Sequence, residues 1–421
     1  MSCFVIEGGY PLSGEIAVQG AKNAVLPILA AATINGDKNI IHNCPRLRDV
    51  EKTVEVLKAL GCDTDFSENT VTVNSAPMHC FTIEESLMRQ MRSSIIFLGA
   101  IIARCGEAVV SMPGGCEIGM RPIDIHLKAL KALGVSITED DGYIICKAES
   151  LKGGNIHLDF PSVGATENTI LAALSAEGKT VITNAAREPE IVDLERFLLS
   201  MGANISGAGS SSITVIGKKR LHGCEHYVMP DRIAAGTYLT CCGIAGGEIY
   251  LTNACPSDMT SVTSKLSDMG ARIVSDGSSI YMMRGERLKS FGAIRTMPYP
   301  GFPTDMQSLF TALACVCNGT SIVNESIFEN RFQNAEELIR MGADIHTDGK
   351  TAVIVGTEKL HGAAVHAREL RGGASLVSAA LGAEGKTAVI NTEYIDRGYE
   401  QIEQQLLKCG AHIERKNEID D

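Results

Sequence analysis

The chain has 421 residues, of which 45% are hydrophobic and 21% charged, a composition typical of a globular protein with two or more domains. A formal net charge of −12, with the basic residues scattered, argues against sequence-independent binding to nucleic acid. One of the longest apolar runs, residues 95–103, is too short to span a bilayer, and the N-terminus lacks the pattern of a signal peptide.

Fourteen cysteines raise the question of disulfides or a metal site. Because no secretory signal precedes them and the chain is long, reduced thiols in a cytoplasmic protein are expected instead. No C-x-x-C pair occurs, and His222, Cys224 and His226 have no second ligand cluster beside them in the sequence. The sequence therefore predicts no metal site.

A signature of a large residue followed by glycine recurs six times, with the glycines at positions 61, 134, 202, 270, 342 and 410. Each signature ends a helical pattern, so the glycine is the predicted C-cap, and a strand pattern follows it. Upstream in each unit lie another helix, a turn and a strand. The predicted order is strand, helix, strand, helix, strand, strand.

Six such α/β units indicate two pseudo-symmetric domains of three units each, with a helix inside and a sheet face outside in every unit. The period is too long for the common solenoids. A scaffold without activity would also repeat, but it would not need the insertions that break the repeat.

In the first two units, the departures from the repeat are cations and a cysteine. Lys22 and Asn23 stand at a predicted helix start, where backbone amides attract anions. Arg92 stands at another predicted helix start, and the glycine-rich segment 113–122 follows with Cys116 and Arg121. A thiol near a guanidinium ionises more easily, so we expect a mobile lid with a reactive cysteine. The alternative is an ordinary glycine-rich turn with an incidental cysteine.

In the later units, hydroxyls, a carboxylate and arginines break the repeat. Residues 162–168 supply hydroxyls and amides at a helix start, and Asp305 lies at another. Arg331, Arg371 and Arg397 follow further along the chain. Asp305 by itself could be only an N-cap, and each cation could be a solvated surface charge. Together they suit a ligand with several phosphate or carboxylate groups, and one acid with one cysteine suits proton transfer.

Seven motifs in order carry a family resemblance over essentially the whole chain. They are Gly20-Ala-Lys-Asn23, P-G-G-C-x-I-G-x-R-P at 113–122, Ser162-Val-Gly-Ala-Thr166, Ala185-Ala-Arg-Glu-Pro-Glu-Ile-Val-Asp193, Pro303-Thr-Asp-Met-Gln307, Phe328-Glu-Asn-Arg-Phe332 and Ile395-Asp-Arg-Gly-Tyr399. On these motifs the chain resembles the UDP-N-acetylglucosamine enolpyruvyl transferase family.

The resemblance implies an α/β fold of two inverse barrel-like domains, each with threefold pseudo-symmetry, and an active site in the cleft between them. The N-terminal domain would comprise residues 22–229, and the C-terminal domain residues 1–21 and 230–421, because the first strand crosses over. Closure on ligand binding is expected, since cations from both domains must meet one anion.

The implied reaction transfers the enolpyruvyl group of phosphoenolpyruvate to the 3-hydroxyl of UDP-N-acetylglucosamine and releases phosphate, through a tetrahedral ketal. It is the first committed step of peptidoglycan synthesis. The family's roles would make Asp305 the base and Cys116 the acid, and Cys116 the target of the epoxide phosphonate fosfomycin. The implied catalytic residues are Cys116, Asp305, Lys22 and Arg397.

The resemblance also implies two sets of binding residues, and no metal or organic cofactor. Phosphoenolpyruvate would be bound by Lys22, Asn23, Arg121, Arg331, Arg371 and Arg397. UDP-N-acetylglucosamine would be bound by Asn23, Arg92, Arg121, Pro122, Ile123, Asp124, Ile125, Ser162, Val163, Gly164, Asp305 and Ile327. The expected partners are these small molecules, without nucleic acid or membrane insertion.

Two positions depart from the family pattern. Glu369 replaces the usual aspartate, and Phe160 stands where some relatives have lysine. Two other functions compete with the first: 5-enolpyruvylshikimate-3-phosphate synthase, which has the same fold, and a non-catalytic paralogue that binds nucleotide sugar. The Cys116 segment and the Ser162 motif argue against the former, and retention of the charged residues argues against the latter.

Overall fold

The computed structural model describes residues 2–90, 92–111 and 123–417, without the side chains of residues 89, 90, 92 and 93. Within these ranges the chain forms strands, α-helices and short 3-10 helices that alternate as the repeat predicts.

The α-helices are α1 (Lys22–Ala31), α2 (Arg48–Ala59), α3 (Glu85–Gln90), α4 (Phe97–Cys105), α5 (Asp124–Ala132), α6 (Val163–Ala173), α7 (Pro189–Ser200), α8 (Arg232–Ala245), α9 (Thr260–Asp268), α10 (Gln307–Cys315), α11 (Gln333–Arg340), α12 (Leu370–Leu381) and α13 (Ile402–Lys408). The 3-10 helices are Arg92–Ile96, Pro256–Met259, Thr304–Met306 and Thr392–Arg397.

The strands are β1 (Cys3–Glu7), β2 (Leu12–Ala17), β3 (Lys38–His42), β4 (Asp63–Ser67), β5 (Thr70–Asn74), β6 (Thr82–Ile83), β7 (Glu107–Ser111), β8 (Ser136–Asp140), β9 (Tyr143–Lys147), β10 (Asn155–His157), β11 (Lys179–Thr183), β12 (Asn204–Ser206), β13 (Ser212–Ile216), β14 (Glu225–Tyr227), β15 (Gly247–Thr252), β16 (Arg272–Ser275), β17 (Ile280–Arg284), β18 (Ala293–Arg295), β19 (Thr320–Asn324), β20 (Asp344–Asp348), β21 (Thr351–Val355), β22 (Ala364–His366), β23 (Lys386–Ile390) and β24 (His412–Lys416).

The strands form six four-stranded sheets of one design among the described residues. In the sheet β10-β11-β13-β12, the edge strand β10 pairs parallel with β11, and Ile182 of β11 lies opposite Ile213 of the antiparallel β13. The buried helix α6 joins β10 to β11, and the strands β12 and β13 follow the second helix of this repeat, α7. This order confirms the sixfold repeat predicted from the sequence.

Two compact units contain three sheets each, with the chain dividing after Gln19 and after Met229. We call residues 20–111 and 123–229 the middle unit, and residues 2–19 and 230–417 the terminal unit. In the terminal unit, β1 lies between β23 and β24, and β2 pairs parallel with β15. Both N-terminal strands, rather than one, therefore complete sheets built from the end of the chain. In the middle unit, β14 closes the first sheet by pairing parallel with β3.

Each unit is built around three helices that are buried on nearly every side: α1, α4 and α6 in the middle unit, and α8, α10 and α12 in the terminal unit. In α8, for example, every residue from Ile233 to Ile244 is buried. A helix that is apolar all round belongs in a core. The prediction that each of the six repeats has a buried helix and an outer sheet face is confirmed.

The six signature glycines all have a positive φ, from 87° at Gly410 to 107° at Gly270. A residue with a Cβ is strained in this left-handed conformation, so glycine is required where each second helix ends. The predicted C-cap position is wrong by one residue: the C-cap is the residue before each glycine, as at Leu60 and Met269, and the glycine follows it.

Arg92 stands at a helix start, as predicted, but the helix is the 3-10 helix Arg92–Ile96, and α4 follows from Phe97. No helix in the described part of the chain combines the length and the apolar character needed to cross a membrane.

Candidate functional site

In the middle unit, Lys22 is the first residue of α1 and is held by a buried carboxylate. No side chain caps this helix end, where the preceding residue is Ala21. Lys22 Nζ lies 2.8 Å from Oδ2 of Asp49, whose side chain is 2% exposed. The backbone amides of the first turn and the ammonium group together form an anion-binding end. Asp49 was missed at the sequence level because it reads as an ordinary acidic residue in the first turn of α2.

Three predicted nucleotide-sugar segments of the middle unit meet around α6. Ser162 is its N-cap, and Ser162 Oγ accepts a hydrogen bond from the amide of Ala165 at 3.3 Å. Val163 and Gly164 form the first turn. The helix packs against α4, against α5 and against the 3-10 helix that begins at Arg92.

The second of these segments leads into α5. Ile123 is its N-cap and Asp124 its first residue, with Ile125 next. The ring of His126 lies so close to α6 that a Cβ on Gly164 would be 3.0 Å from His126 Cε1. The starts of α5 and α6 are therefore adjacent, and glycine at position 164 permits the approach.

In the terminal unit, Asp305 is bound by two arginines that are distant in sequence. Arg331 Nη2 lies 2.7 Å from Asp305 Oδ1, and Arg371 Nη2 lies 3.2 Å from Oδ2. The arginine side chains are only 2% and 3% exposed, whereas that of Asp305 is 26% exposed. Asp305 lies in the middle of the 3-10 helix Thr304–Met306, so the N-cap interpretation of this residue is wrong.

Asp305 balances one of the two arginine charges, and the charge of Asp231 also acts on Arg371. Within the described ranges, Nε of Arg331 and both Nε and Nη1 of Arg371 have no hydrogen-bond partner. Burial by itself lowers the pKa of the Arg371 guanidinium, but its interactions with Tyr399, Asp305 and Asp231 together outweigh burial, so the pKa is raised. A buried cation with unused donors is costly unless an anion binds, so the arrangement favours an anionic ligand.

Comparison with known proteins assigns the chain to a family. Residues 6–406 match the family model described as EPSP synthase (3-phosphoshikimate 1-carboxyvinyltransferase). The chain belongs to the EPSP synthase family.

Within this family, the chain is similar to proteins named for nucleotide-sugar chemistry. It is 51% identical to the UDP-N-acetylglucosamine 1-carboxyvinyltransferase 2 of Caldanaerobacter subterraneus subsp. tengcongensis, covering 99% of this chain and 100% of that protein. It is 48% identical to the UDP-N-acetylglucosamine 1-carboxyvinyltransferase of Nitratidesulfovibrio vulgaris, with the same coverage. The family resemblance derived from the seven motifs is thus confirmed.

Solved structures of the EPSP synthase family share the fold. The enolpyruvyl transferase NikO from Streptomyces tendae matches with a TM-score of 0.89 at 23% identity, over 98% of both chains. EPSP synthase from Acinetobacter baumannii matches with a TM-score of 0.75 at 19% identity, over 99% of this chain and 100% of that one. At such identities the likeness shows the fold alone, and it confirms the predicted fold class.

Arg397, a predicted catalytic residue, ends the 3-10 helix Thr392–Arg397. Its neighbour Asp396 forms an ion pair with Arg415, at 2.6 Å between Oδ1 and Nη2. After Arg397, the amide side chain of Gln19 donates to the carbonyl of Gly398 at 3.1 Å and accepts from the amide of Glu400 at 2.8 Å. The backbone is therefore held on both sides of Arg397.

Glu325 is a second residue that the sequence analysis missed. Its side chain is buried, and Oε1 accepts from the backbone amides of Ile327 at 2.8 Å and Phe328 at 3.0 Å. Its other oxygen accepts from Thr304 Oγ1 at 2.8 Å. One carboxylate thus joins the turn at Ile327 to the 3-10 helix that carries Asp305.

Glu369, where the family pattern has aspartate, is the N-cap of α12. Its carboxylate accepts hydrogen bonds from the backbone amides of Arg371, at 2.8 Å, and of Gly372. The longer side chain therefore caps the helix that presents Arg371 to Asp305. The other departure, Phe160, is 41% exposed.

Three predicted site residues, Cys116, Arg121 and Pro122, lie outside the described residues. The side chain of Arg92 is also outside them. In the ranges that are described, no group of three or more His, Cys, Asp or Glu side chains is arranged to hold a metal ion.

Proposed function

We propose that the protein transfers the enolpyruvyl group of phosphoenolpyruvate to the 3-hydroxyl of UDP-N-acetylglucosamine and releases phosphate, as the first committed step of peptidoglycan synthesis. Relatives that are about half identical over their full length carry this activity in their names. The structural observation that carries the proposal is Asp305, partly exposed between two buried arginines with unused donors.

In the addition step, we assign Asp305 as the base that removes the proton of the sugar hydroxyl. The hydroxyl oxygen then bonds to C2 of phosphoenolpyruvate while C3 gains a proton from Cys116, which gives the tetrahedral ketal. The two guanidinium groups beside Asp305 stabilise a charged carboxylate, and a positioned carboxylate can accept a proton in the transition state.

In the elimination step, the bond between C2 and the phosphate oxygen breaks, the leaving phosphate takes the proton held by Asp305, and C3 returns a proton to the Cys116 thiolate, which restores the double bond. Lys22, Asn23, Arg121 and Arg397 bind the phosphate and carboxylate in this proposal, with Arg331 and Arg371 in support. Fixed cations at groups whose charge changes are usually a large catalytic contribution. Asp49 holds the ammonium of Lys22 in place.

For the acceptor, we assign Asn23, Arg92, Asp305, Ile327, residues 121–125 and residues 162–164. The supporting observation is that the described segments of the middle unit in this set adjoin α6. We also assign residues 22–229 to one enolpyruvyl transferase domain, and residues 1–21 with 230–421 to the other. We also propose a cytoplasmic location, which agrees with the reduced thiols expected from the sequence.

A phosphate-release assay tests the proposal. Purified protein with phosphoenolpyruvate should release phosphate when UDP-N-acetylglucosamine is the acceptor, and not with shikimate-3-phosphate. Release with shikimate-3-phosphate alone would establish 5-enolpyruvylshikimate-3-phosphate synthase instead, which the fold also accommodates. Binding of the nucleotide sugar without release from either acceptor would establish the non-catalytic paralogue.

A further inference from the structure

One buried amide, that of Asn168, connects three elements of the middle unit. Asn168 lies in the second turn of α6 and is fully buried. Its Nδ2 donates to the carbonyl of Ile95 at 2.9 Å and lies 2.8 Å from His126 Nδ1, and its Oδ1 accepts from the amide of Gly99 at 2.7 Å. The amide is therefore fully engaged by groups on other elements.

The orientation of this amide follows from its backbone partners. The carbonyl of Ile95 can only accept, and the amide of Gly99 can only donate, so Nδ2 and Oδ1 cannot be exchanged. The second hydrogen of Nδ2 then points to His126, whose Nδ1 must be an unprotonated acceptor. Asn168 thereby fixes both the ring position and the tautomer of His126.

Two of the three partners of Asn168 adjoin segments assigned to the nucleotide sugar, and the third, Gly99, lies in α4. Ile95 lies in the 3-10 helix that begins at Arg92, and His126 directly follows Ile125. The ring of His126 in turn contacts Gly164, in the first turn of the helix that carries Asn168. The side chain of Asn168 therefore bonds to the segments that contain Ile95 and His126, and through the His126 ring it is linked to the segment at Gly164.

We propose that Asn168 is a positioning residue that holds the three nucleotide-sugar segments in register and so sets the affinity for UDP-N-acetylglucosamine. The inference rests on the proposed function and assigns a residue outside the predicted binding set. The described candidates for phosphoenolpyruvate, among them Lys22, Arg331 and Arg371, lie on other helices or loops. Loss of the amide should therefore weaken binding of the nucleotide sugar much more than binding of phosphoenolpyruvate.

The test compares Asn168→Asp with a matched control, Asn39→Asp. Aspartate keeps the acceptor for Gly99 but loses both donors, so Ile95 and His126 lose their partner. Asn39 is equally buried in the same unit, where Nδ2 donates to the carbonyl of Ala32 at 3.2 Å and Oδ1 accepts from the amide of Cys224 at 3.3 Å. It belongs to no assigned binding segment.

In Asn168→Asp, the KM for UDP-N-acetylglucosamine should rise about tenfold or more, because the variant breaks two buried hydrogen bonds. The KM for phosphoenolpyruvate and kcat should stay within about twofold. Asn39→Asp should lower Tm comparably and leave both KM values unchanged. Calorimetric titration with UDP-N-acetylglucosamine should show the same weakening in Asn168→Ala, which introduces no charge and serves if the aspartate variant does not fold.

Unchanged nucleotide-sugar affinity in both Asn168 variants, with a lowered Tm as in the control, would assign Asn168 to stability alone. Parallel rises of both KM values would indicate general distortion and would also overturn the proposal. If the unsubstituted protein neither binds UDP-N-acetylglucosamine nor releases phosphate, the proposed function itself fails, and this result is distinguishable because it appears without any substitution.

Discussion

At the scale of single residues, Asp305 combines a chemical and a structural role. The same carboxylate that we assign as the base also pairs with Arg331 and Arg371, which are almost completely buried. Removing one partner of a buried ion pair leaves an uncompensated charge. Substitutions of Asp305 must therefore separate the loss of the base from the loss of the ion pairs.

We expect Asp305→Ala to lower kcat by about 10²–10⁴-fold, the range for loss of a general base, while UDP-N-acetylglucosamine still binds. Asp305→Asn keeps the shape and an acceptor oxygen, so it should lose a similar factor in kcat with a smaller fall in Tm. Steady-state kinetics and thermal unfolding of both variants check this. Near-parental turnover in either variant would refute the assignment of Asp305 as the base.

The effect of Glu167 on the stability of the fold depends on pH. Its side chain is fully buried, Oε1 has no hydrogen-bond partner among the described residues, and burial raises its pKa well above 4.5, with repulsion from Glu190 and Glu188 added. The folded state therefore holds a proton that the unfolded state releases. The contribution of Glu167 to the free energy of unfolding is fully present below pH 4.5 and is lost as pH rises through the raised pKa.

Glu167→Gln should remove this loss, because glutamine is neutral at every pH. The variant should match the parent at pH 4.5 or below and exceed it by about 2–4 °C in the Tm of the middle unit at pH 8, a shift that corresponds to roughly 1 kcal/mol for a unit of this size. Thermal unfolding at several pH values measures the gap. Glu177→Gln is the control. The pKa of this exposed carboxyl is lowered by Lys218, so replacing the carboxyl should not raise Tm. A Tm gap that does not widen with pH would contradict the argument.

At the scale of elements, the ends of helices place the charged groups. Ser162 caps α6, Glu369 caps α12, and α1 begins with Lys22 and no side-chain cap. Capping fixes where a helix begins and therefore where its first side chains lie. The cap of α12 matters most for the site, because Arg371 is the second residue of that helix.

Glu369→Ala should destabilise the protein by about 1 kcal/mol, a typical cost for loss of an N-cap. Glu369→Asp should stay within about 0.5 kcal/mol of the parent, since aspartate is a good N-cap. Urea unfolding measures both values. We further expect the KM for phosphoenolpyruvate to rise in Glu369→Ala alone, because its N-cap bonds fix the backbone of Arg371. Equal stabilities of the two variants would show that the cap contributes nothing.

At the scale of the whole molecule, the packing of the cysteines bears on the reactivity of Cys116. Nine of the thirteen described cysteines are buried. Burial raises the pKa of the Cys44, Cys146 and Cys241 thiols to about 12. Since the thiolate is the nucleophile, such thiols react poorly at neutral pH.

Fosfomycin should therefore alkylate Cys116 ahead of the other thirteen cysteines, and UDP-N-acetylglucosamine should speed the reaction. Cys116→Asp should block alkylation, and we expect it to retain turnover because a carboxylic acid can also deliver a proton. Cys105→Ser, which removes an exposed cysteine, is the matched control and should react like the parent. Peptide mass mapping decides the prediction, and an adduct on another cysteine would contradict it.

The sequence by itself determined the repeat and the positions of the charged groups along it. The signature glycines could be recognised because a helix end with a positive φ is a local requirement that only glycine meets readily, as at Gly61 and Gly270. Buried helices such as α8 and α12 could be recognised because they are apolar all round. The family motifs then supplied the roles of the site residues, and all of these roles stay predictions.

Only the tertiary structure decided which groups meet. Strand β14 pairs with β3 across most of the middle unit, and Asp305 pairs with arginines 26 and 66 residues away. The contacts of Asp49 with Lys22 and of Asn168 with His126 could not be predicted from the sequence either. Local sequence sets helix ends and turns, whereas such pairs depend on how helices and sheets pack, and packing is fixed by the whole core rather than by any one segment.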